Sequence, residues 1–487
     1  MQHIFSKRDQ RKIQIIEYLI DYQQTTLKEL CEECNLPIKT VWSDIKELNN
    51  IITPVSIDAD QNGIYLHLPP AYSIRYIYIQ LLHHSNEFTV LEYVFFNSRR
   101  NLEEIAEYIG LSVATLRRII TNINDGLEYF QATIKTNPVS IDGNYRNIID
   151  LISYLLSEKY IYEEEYLQSS QEVVLTELFN SSSIIKQHLQ NYPDYKKMKL
   201  WIYVRIVYYK SHPYIAEKPM LDSYVYNLFD FKKNHLAYKE FERVFEIEFT
   251  PEIAMFLFEV FCNKEHILSF DELSVLMKSK DSYYQFVIRI FDLLDRLASI
   301  YDITLDNKNE LVIDICNTLT LHGARPYIIY NKRKTFIREL THHHLLFYQT
   351  TKKLVKQIFG ETLSDDKINE IIYIIITHWG NLSIKLTNKF QSISMAILMD
   401  TDEENMEIVK EILLQRMIYK IDVFKPSSLS LSTIVKELPK IDLLITNIPG
   451  LDDLECKVIC IQDYPTTRDL IHVLESEEHI IRSKMSA

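Results

Sequence analysis

The sequence predicts a multidomain, mainly α protein, with winged helix-turn-helix units first, two helical bundles next, and a small C-terminal α/β domain of flavodoxin-like type. Three observations predict it. A helix–turn–helix pattern occurs twice, at Thr26–Asn49 and at Asn101–Asn124. Residues Leu151–Asn388 are rich in Tyr, Ile, Leu and Phe in amphipathic stretches. From Phe390 the texture changes to the strand–helix alternation that the crossovers of a parallel sheet require.

The two copies keep one apolar skeleton: Leu27/Leu102, Leu30/Ile105, Cys31/Ala106, Cys34/Ile109, Leu36/Leu111, Ile38/Val113, Val41/Leu116, Ile45/Ile120 and Leu48/Ile123. Asn35 and Gly110 stand at the turn, where a positive φ lets two helices cross steeply. Before the first copy, Ser6–Gln23 reads as a helix with Ile13, Ile16, Leu19 and Ile20 on one face. After it, Val55–Leu68 reads as a hairpin turning near Asn62-Gly63. Three helices and a hairpin make a winged helix, whose second motif helix, here Ile38–Ile52, enters the major groove by its N-terminal half. Lys39, Thr40, Trp42, Ser43 and Lys46 lie between its core positions and are the candidates for DNA; the other reading packs Trp42 and leaves the lysines solvated.

The second unit opens with a helix near Phe88–Asn97 and a basic corner, Ser98-Arg99-Arg100. Its recognition helix is expected over Ser112–Phe130 with Ser112 as N-cap. Ala114, Thr115, Arg117, Arg118 and Asn122 fall off the core face, and paired guanidinium groups suit guanine edges or phosphates. Gln131–Ile141 is expected to form a shorter second wing. The predicted interface therefore comprises Lys39, Thr40, Trp42, Ser43, Lys46, Arg99, Arg100, Ser112, Thr115, Arg117, Arg118 and Asn122, with double-stranded DNA as partner.

Composition bounds the function. The net charge of −14 argues against a general polyanion binder but permits a local basic face. With 8 glycines in 487 residues and neither GxxxxGK[ST] nor GxGxxG, a nucleotide-dependent enzyme of a common class is not expected. GxSxG and HExxH are also missing, so neither enzymatic activity nor a cofactor is expected. Cys31 and Cys34 have CxxC spacing, but their counterparts are Ala106 and Ile109, which makes them core residues rather than a metal or redox site. No apolar run reaches the roughly 20 residues of a membrane span, and no signal peptide opens the chain, so a cytoplasmic protein without a membrane partner is expected.

In the middle region, amphipathic stretches fall at Lys196–Lys210, Pro251–Asn263, Tyr283–Ile300, Thr335–Phe359 and Asp366–Trp379, enough for two bundles divided near residues 275–285. Histidines stand out: His188, His212, His266, His322, His342-His343-His344 and His378. Consecutive helical residues diverge, so the triple histidine does not make one tetrahedral metal site. In the tail, SISMAILMD, Tyr419–Phe424, IDLLITNI and KVICIQ read as strands, with helices over Glu404–Arg416, Leu431–Leu438 and Thr467–Arg482.

In this order the domains resemble the Mga/AtxA-type transcriptional regulators of Gram-positive bacteria. The likeness rests on the paired helix-turn-helix units and on TLHGARPYII and EIIYIIITHWG in the second bundle. It implies a homodimeric, global, virulence- or carbohydrate-linked activator with two phosphotransferase-system regulation domains and an enzyme-IIB-like tail linked to self-association. It further implies a phosphocarrier protein of the sugar phosphotransferase system as partner, phosphorylating His322 and His378; the alternative is that each is a satisfied core or interface histidine. His188, His212 and His266 match the first domain's pattern only if the alignment slips. Met198, Lys199 and Glu259 stand where that domain usually carries histidines, Glu259 being a candidate fixed negative charge. The tail turn Asp400–Glu404 lacks the cysteine of a working enzyme IIB. The resulting domains are 1–70 and 71–150 (helix-turn-helix), 151–280 and 281–388 (regulation) and 389–487 (IIB-like). An RNA-binding antiterminator is the rival disfavoured by the paired helix-turn-helix units, and a phosphocarrier component the one disfavoured by the missing cysteine.

Overall fold

The computed structural model describes residues 2–486 apart from 23, 61–62, 99, 162–165, 190–191, 214–224, 233–234, 263–266, 268, 280, 321–326, 362, 383, 387–393, 415–420, 425–432, 434–435 and 452–453. The chain divides into two units, residues 1–266 with 321–331, and residues 267–320 with 332–487.

The first unit begins with a winged helix: α1 (Lys7–Tyr22), β1 (Gln24–Thr25), α2 (Leu27–Cys34), α3 (Ile38–Ile51), β2 (Ser56–Asp60) and β3 (Gly63–His67). Its sheet has the antiparallel order β1–β3–β2. Local chemistry sets each break. Thr26 caps α2 in a reciprocal capping box with Glu29, and Asn35 ends it in the left-handed region at φ 50°. Asn49, near the end of α3, holds the wing: its Nδ2 donates to the Ile57 carbonyl at 3.0 Å, and its Oδ1 accepts the Ile57 N–H at 2.7 Å.

The next segment adds α4 (Ile74–His83), which the sequence reading lacked, and then α5 (Asn86–Phe96), α6 (Leu102–Ile109), α7 (Val113–Leu127), β4 (Ala132–Thr136) and β5 (Val139–Gly143). The local devices recur. Asn101 caps α6, Gly110 ends it at φ 75°, and Ser112 caps α7 as expected. Asn124 grips Ile134 as Asn49 grips Ile57, at 3.1 and 2.7 Å. The second wing is not shorter: all four wing strands have five residues. A single bridge, Arg100 to Val139, stands where the first domain has β1.

A 3-10 turn, Gln2–Ile4, seats the N-terminus on α7. A Cβ on Gly126 would lie 2.5 Å from Ile4 Cγ1 and 2.9 Å from its backbone nitrogen, so glycine is what permits that approach.

Among the described residues the rest of this unit is mainly helical: α8 (Tyr145–Lys159), α9 (Ser169–Asn180), α10 (Ser183–His188), α11 (Tyr192–Ser211), α12 (Val225–Leu228), α13 (Leu236–Phe245), α14 (Pro251–Leu257) and α15 (Glu259–Cys262). The expected single helix from Pro251 is broken at Phe258. The buried carboxylate of Glu158, on α8, accepts the N–H groups of Ile328, Ile329 and Tyr330 at 2.6, 3.0 and 3.0 Å, and Tyr330 stacks on Tyr78.

In the second unit, α16 (Phe270–Ser279), α17 (Asp281–Tyr301), α18 (Lys308–Thr320), α19 (Lys332–His343), α20 (Leu345–Phe359) and α21 (Asp365–His378) enclose one apolar cluster, which includes Ile267, Leu273, Leu294, Ile315, Ile371 and Trp379. The stretch Thr335–Phe359 is two helices rather than one, since His344 leaves helical geometry at φ −137°, ψ 47°. The tail then forms β6 (Met395–Leu398), α22 (Glu403–Leu414), β7 (Ile421–Val423), β8 (Leu443–Thr446), β9 (Lys457–Cys460) and α23 (Thr467–Ser486). The strands are all parallel in the order β7–β6–β8–β9, and β6 and β8 are buried along their length, as parallel strands covered on both faces must be. Half of the expected helix Leu431–Leu438 lies outside the described residues, and residues 433, 436 and 437 are helical.

Candidate nucleic-acid interface

The core stripe of α3 is Val41, Ile45 and Leu48, and that of α7 is Leu116, Ile120 and Ile123. At 100° per residue, positions 39, 42, 43 and 46 fan out over the side of α3 away from that stripe, with 38 at the stripe's edge in the first turn, and a shift of 75 residues carries 38, 39, 42, 43 and 46 onto 113, 114, 117, 118 and 121 of α7. Lys39, Trp42, Ser43, Lys46, Arg117 and Arg118 are all exposed. Ile38 is exposed too, at 56%, which corrects its place in the expected skeleton: it sits at the helix tip, beyond the reach of the stripe that packs on α1 and α2. Sequence reasoning also missed Thr121, exposed at the register of Lys46; the repeat spacing is the signal that finds it.

The remaining candidates have other places. Thr40, Thr115 and Asn122 are half-buried on the flank of their helices. Ser112 is occupied as a cap, bonded to the Thr115 N–H at 3.1 Å and to its hydroxyl at 2.8 Å. Arg100 is paired with Glu104 at 3.3 Å. Arg99 lies outside the described residues.

Charge is sorted across α3. Its two carboxylates, Asp44 and Glu47, both face α1. Asp44 is buried against Arg11 at 2.9 Å, and Glu47 pairs with Lys12 at 2.7 Å and with Arg8. Burial pushes the Glu47 carboxyl up, but Lys12 and Arg8 hold it below the usual range. Among the described residues Lys39, Lys46, Arg117 and Arg118 make no ion pair. A chain of net charge −14 thus presents uncompensated cations on two like faces.

The cysteines belong to the core side. Cys34 is buried, its thiol pushed up to about 11 by burial, and Cys31 is half-buried. Among the described residues no group of three or more His, Cys, Asp or Glu is placed to hold a metal ion, and no helix is long and apolar enough to cross a membrane.

Of the histidines, His378 is exposed at the end of α21, its Nδ1 2.6 Å from Asp314 Oδ2. His212 lies 3.2 Å from the Tyr208 carbonyl and stacks on that ring at 4.3 Å. His322 and His266 lie outside the described residues, as does the side chain of His188. Lys199 is buried against Glu172 at 2.6 Å. Glu259 is held between Arg205 (2.9 Å), Arg146 Nε (2.7 Å) and the Tyr145 hydroxyl (3.1 Å). Burial raises its pKa, but the arginines more than offset that and leave it below the usual value.

Comparison with known proteins agrees with this geometry. A family model described as "M protein trans-acting positive regulator (MGA) HTH domain" matches residues 6–52, and one described as "Mga helix-turn-helix domain" matches residues 70–156. A Streptococcus pneumoniae serotype 4 protein named "Putative trans-acting regulator" is 24% identical over 493 residues, covering 98% of each chain. The two family matches fall on the two winged helices, and along its length the chain resembles a Mga-type, DNA-binding transcriptional regulator.

Proposed function

We propose that this chain is a homodimeric transcription regulator that grips double-stranded DNA with α3 and α7 and responds to phosphorylation of histidine in its helical bundles. The observation that carries the DNA reading is the sorting of charge on α3: both carboxylates are turned to α1 and neutralised, while Lys39 and Lys46 face outward with Trp42 and Ser43. Arg117 and Arg118 give α7 the same polarity.

The histidine reading is supported by His378. A carboxylate bonded to Nδ1 orients the ring and leaves Nε2 as the nitrogen that can accept a phosphoryl group, and the added charge would act beside Asp314. His322 remains a proposed second acceptor and the sugar phosphotransferase system's phosphocarrier the proposed donor. In the first bundle, Glu259 between two arginines supports a permanent negative charge there in place of a switched one. The tail is proposed as an IIB-like self-association domain. The proposed domain limits follow the sequence reading, except that Ile267 and Leu273 favour starting the second bundle near residue 267.

Fluorescence anisotropy with duplex DNA across a salt series tests the central reading. Salt-dependent binding that is weakened, at every salt, in a folded Arg117→Ala/Arg118→Ala protein supports it; no binding at any salt by the wild type overturns it.

A further inference from the structure

Ile38 and Trp42 are exposed at 56% and 44%, one helical turn apart on the same stripe of α3. They sit beside Lys39, Ser43 and Lys46, and no carboxylate of α3 shares that side, since Asp44 and Glu47 are bonded to α1. At the same register α7 carries Val113, Arg117 and Arg118, the arginines both exposed. One scaffold thus presents two chemistries: an apolar pair edged by lysines on the first copy, and a guanidinium pair on the second.

The major groove offers one apolar feature, the 5-methyl group of thymine; guanine offers two acceptors that fit a guanidinium. We infer that Ile38 and Trp42 read thymine methyl groups, and that the first winged helix is the thymine-selective half of a composite site. This rests on the reading that α3 enters the major groove. Uncompensated lysines edging the apolar pair favour a polyanion over a protein surface as its occupant. Trp42 supplies the broader contact, and Ile38, at the tip, reaches the neighbouring base step.

Deoxyuridine tests this, because it keeps the pairing and O4 of thymidine and lacks only the methyl. A duplex selected from a random pool by the full-length protein is remade with deoxyuridine throughout, and both are titrated by anisotropy. Loss of a buried methyl weakens binding roughly fourfold, so two or more contacts give about tenfold or greater loss for the wild type. Ile38→Ala/Trp42→Ala should bind the thymine duplex about as weakly as the wild type binds the uracil one, and should not distinguish the two. Arg117→Ala/Arg118→Ala should bind more weakly overall yet keep the full thymine preference.

Equal wild-type affinity for both duplexes, with salt-dependent binding intact, overturns the inference and leaves the DNA reading standing. A thymine preference that survives in Ile38→Ala/Trp42→Ala assigns it to DNA shape or to other residues and also overturns it. No DNA binding at all overturns both. The wild-type comparison needs no variant, so a folding defect does not rescue the idea.

Discussion

Asn49 brackets Ile57, donating to its carbonyl and accepting its N–H, so one side chain of the recognition helix anchors the first wing strand. Asn124 does the same to Ile134. Asn49→Ala or Asn124→Ala strands two half-buried backbone groups at once. Each should cost about 1–3 kcal/mol, seen as a lower thermal midpoint in the N-terminal unit. A change within the error of the midpoint would show that the wings dock without the clip.

The lysines on α3 are expected to meet phosphates. Each that does contributes roughly 0.9 to the slope of log affinity against log salt. Lys39→Ala/Lys46→Ala should therefore flatten the slope by up to about 1.8 while leaving the thymine preference in place. An unchanged slope would put both lysines away from the backbone.

Gly126 and Gly110 should respond differently to alanine. At Gly126 the new methyl would collide with Ile4, including its backbone, so a loss of about 1–3 kcal/mol is expected. At Gly110 the space is open and only the positive φ resists, for about 1 kcal/mol. Chemical denaturation of the two variants ranks them, and the reverse order would mean that the Ile4 seat yields easily.

Asp150 is pushed up to about 6, chiefly by burial, against the pull of Arg205 and Lys197. The unfolded chain loses this proton near pH 4, whereas the folded chain keeps it to about pH 6. Wild-type stability therefore falls across that interval as the buried carboxylate is forced to ionise. Asp150→Asn should match the wild type below about pH 4 and exceed it by about 1–3 kcal/mol above pH 6. Thermal midpoints at several pH values check the sign, and a variant less stable at pH 7 would mean that the carboxylate is held by its cations after all.

His378→Ala should lower phosphoryl incorporation from a phosphocarrier, and Asp314→Asn should lower it less while leaving the helix intact. Equal labelling of all three proteins would move the acceptor elsewhere.

The helix-turn-helix duplication was legible because its signals are local: apolar spacing, a turn residue able to take positive φ, and a capping side chain. The parallel tail sheet was legible for a similar reason, its strands being short buried runs such as Leu443–Thr446. What the sequence hid depends on distance. Asn49 and Asn124 stand at the ends of the aligned segments, yet their task appears only when a strand 8 or 10 residues later folds back. Ile38 looked like core because its residue type fits the stripe, and only the end of the helix places it in water. Arg100 and Glu104 are one helical turn apart and could have been paired on paper; Glu259 with Arg146, 113 residues earlier, could not.

The three N–H groups on Glu158 come from 170 to 172 residues further along the chain. At about 5–20 residues per second of synthesis, α8 exists for roughly 10–30 seconds before its donors do. Through that interval the carboxylate lacks these three donors. The N-terminal unit is therefore finished late, after residue 330 has emerged, and a fragment ending at residue 266 carries the carboxylate without these three donors.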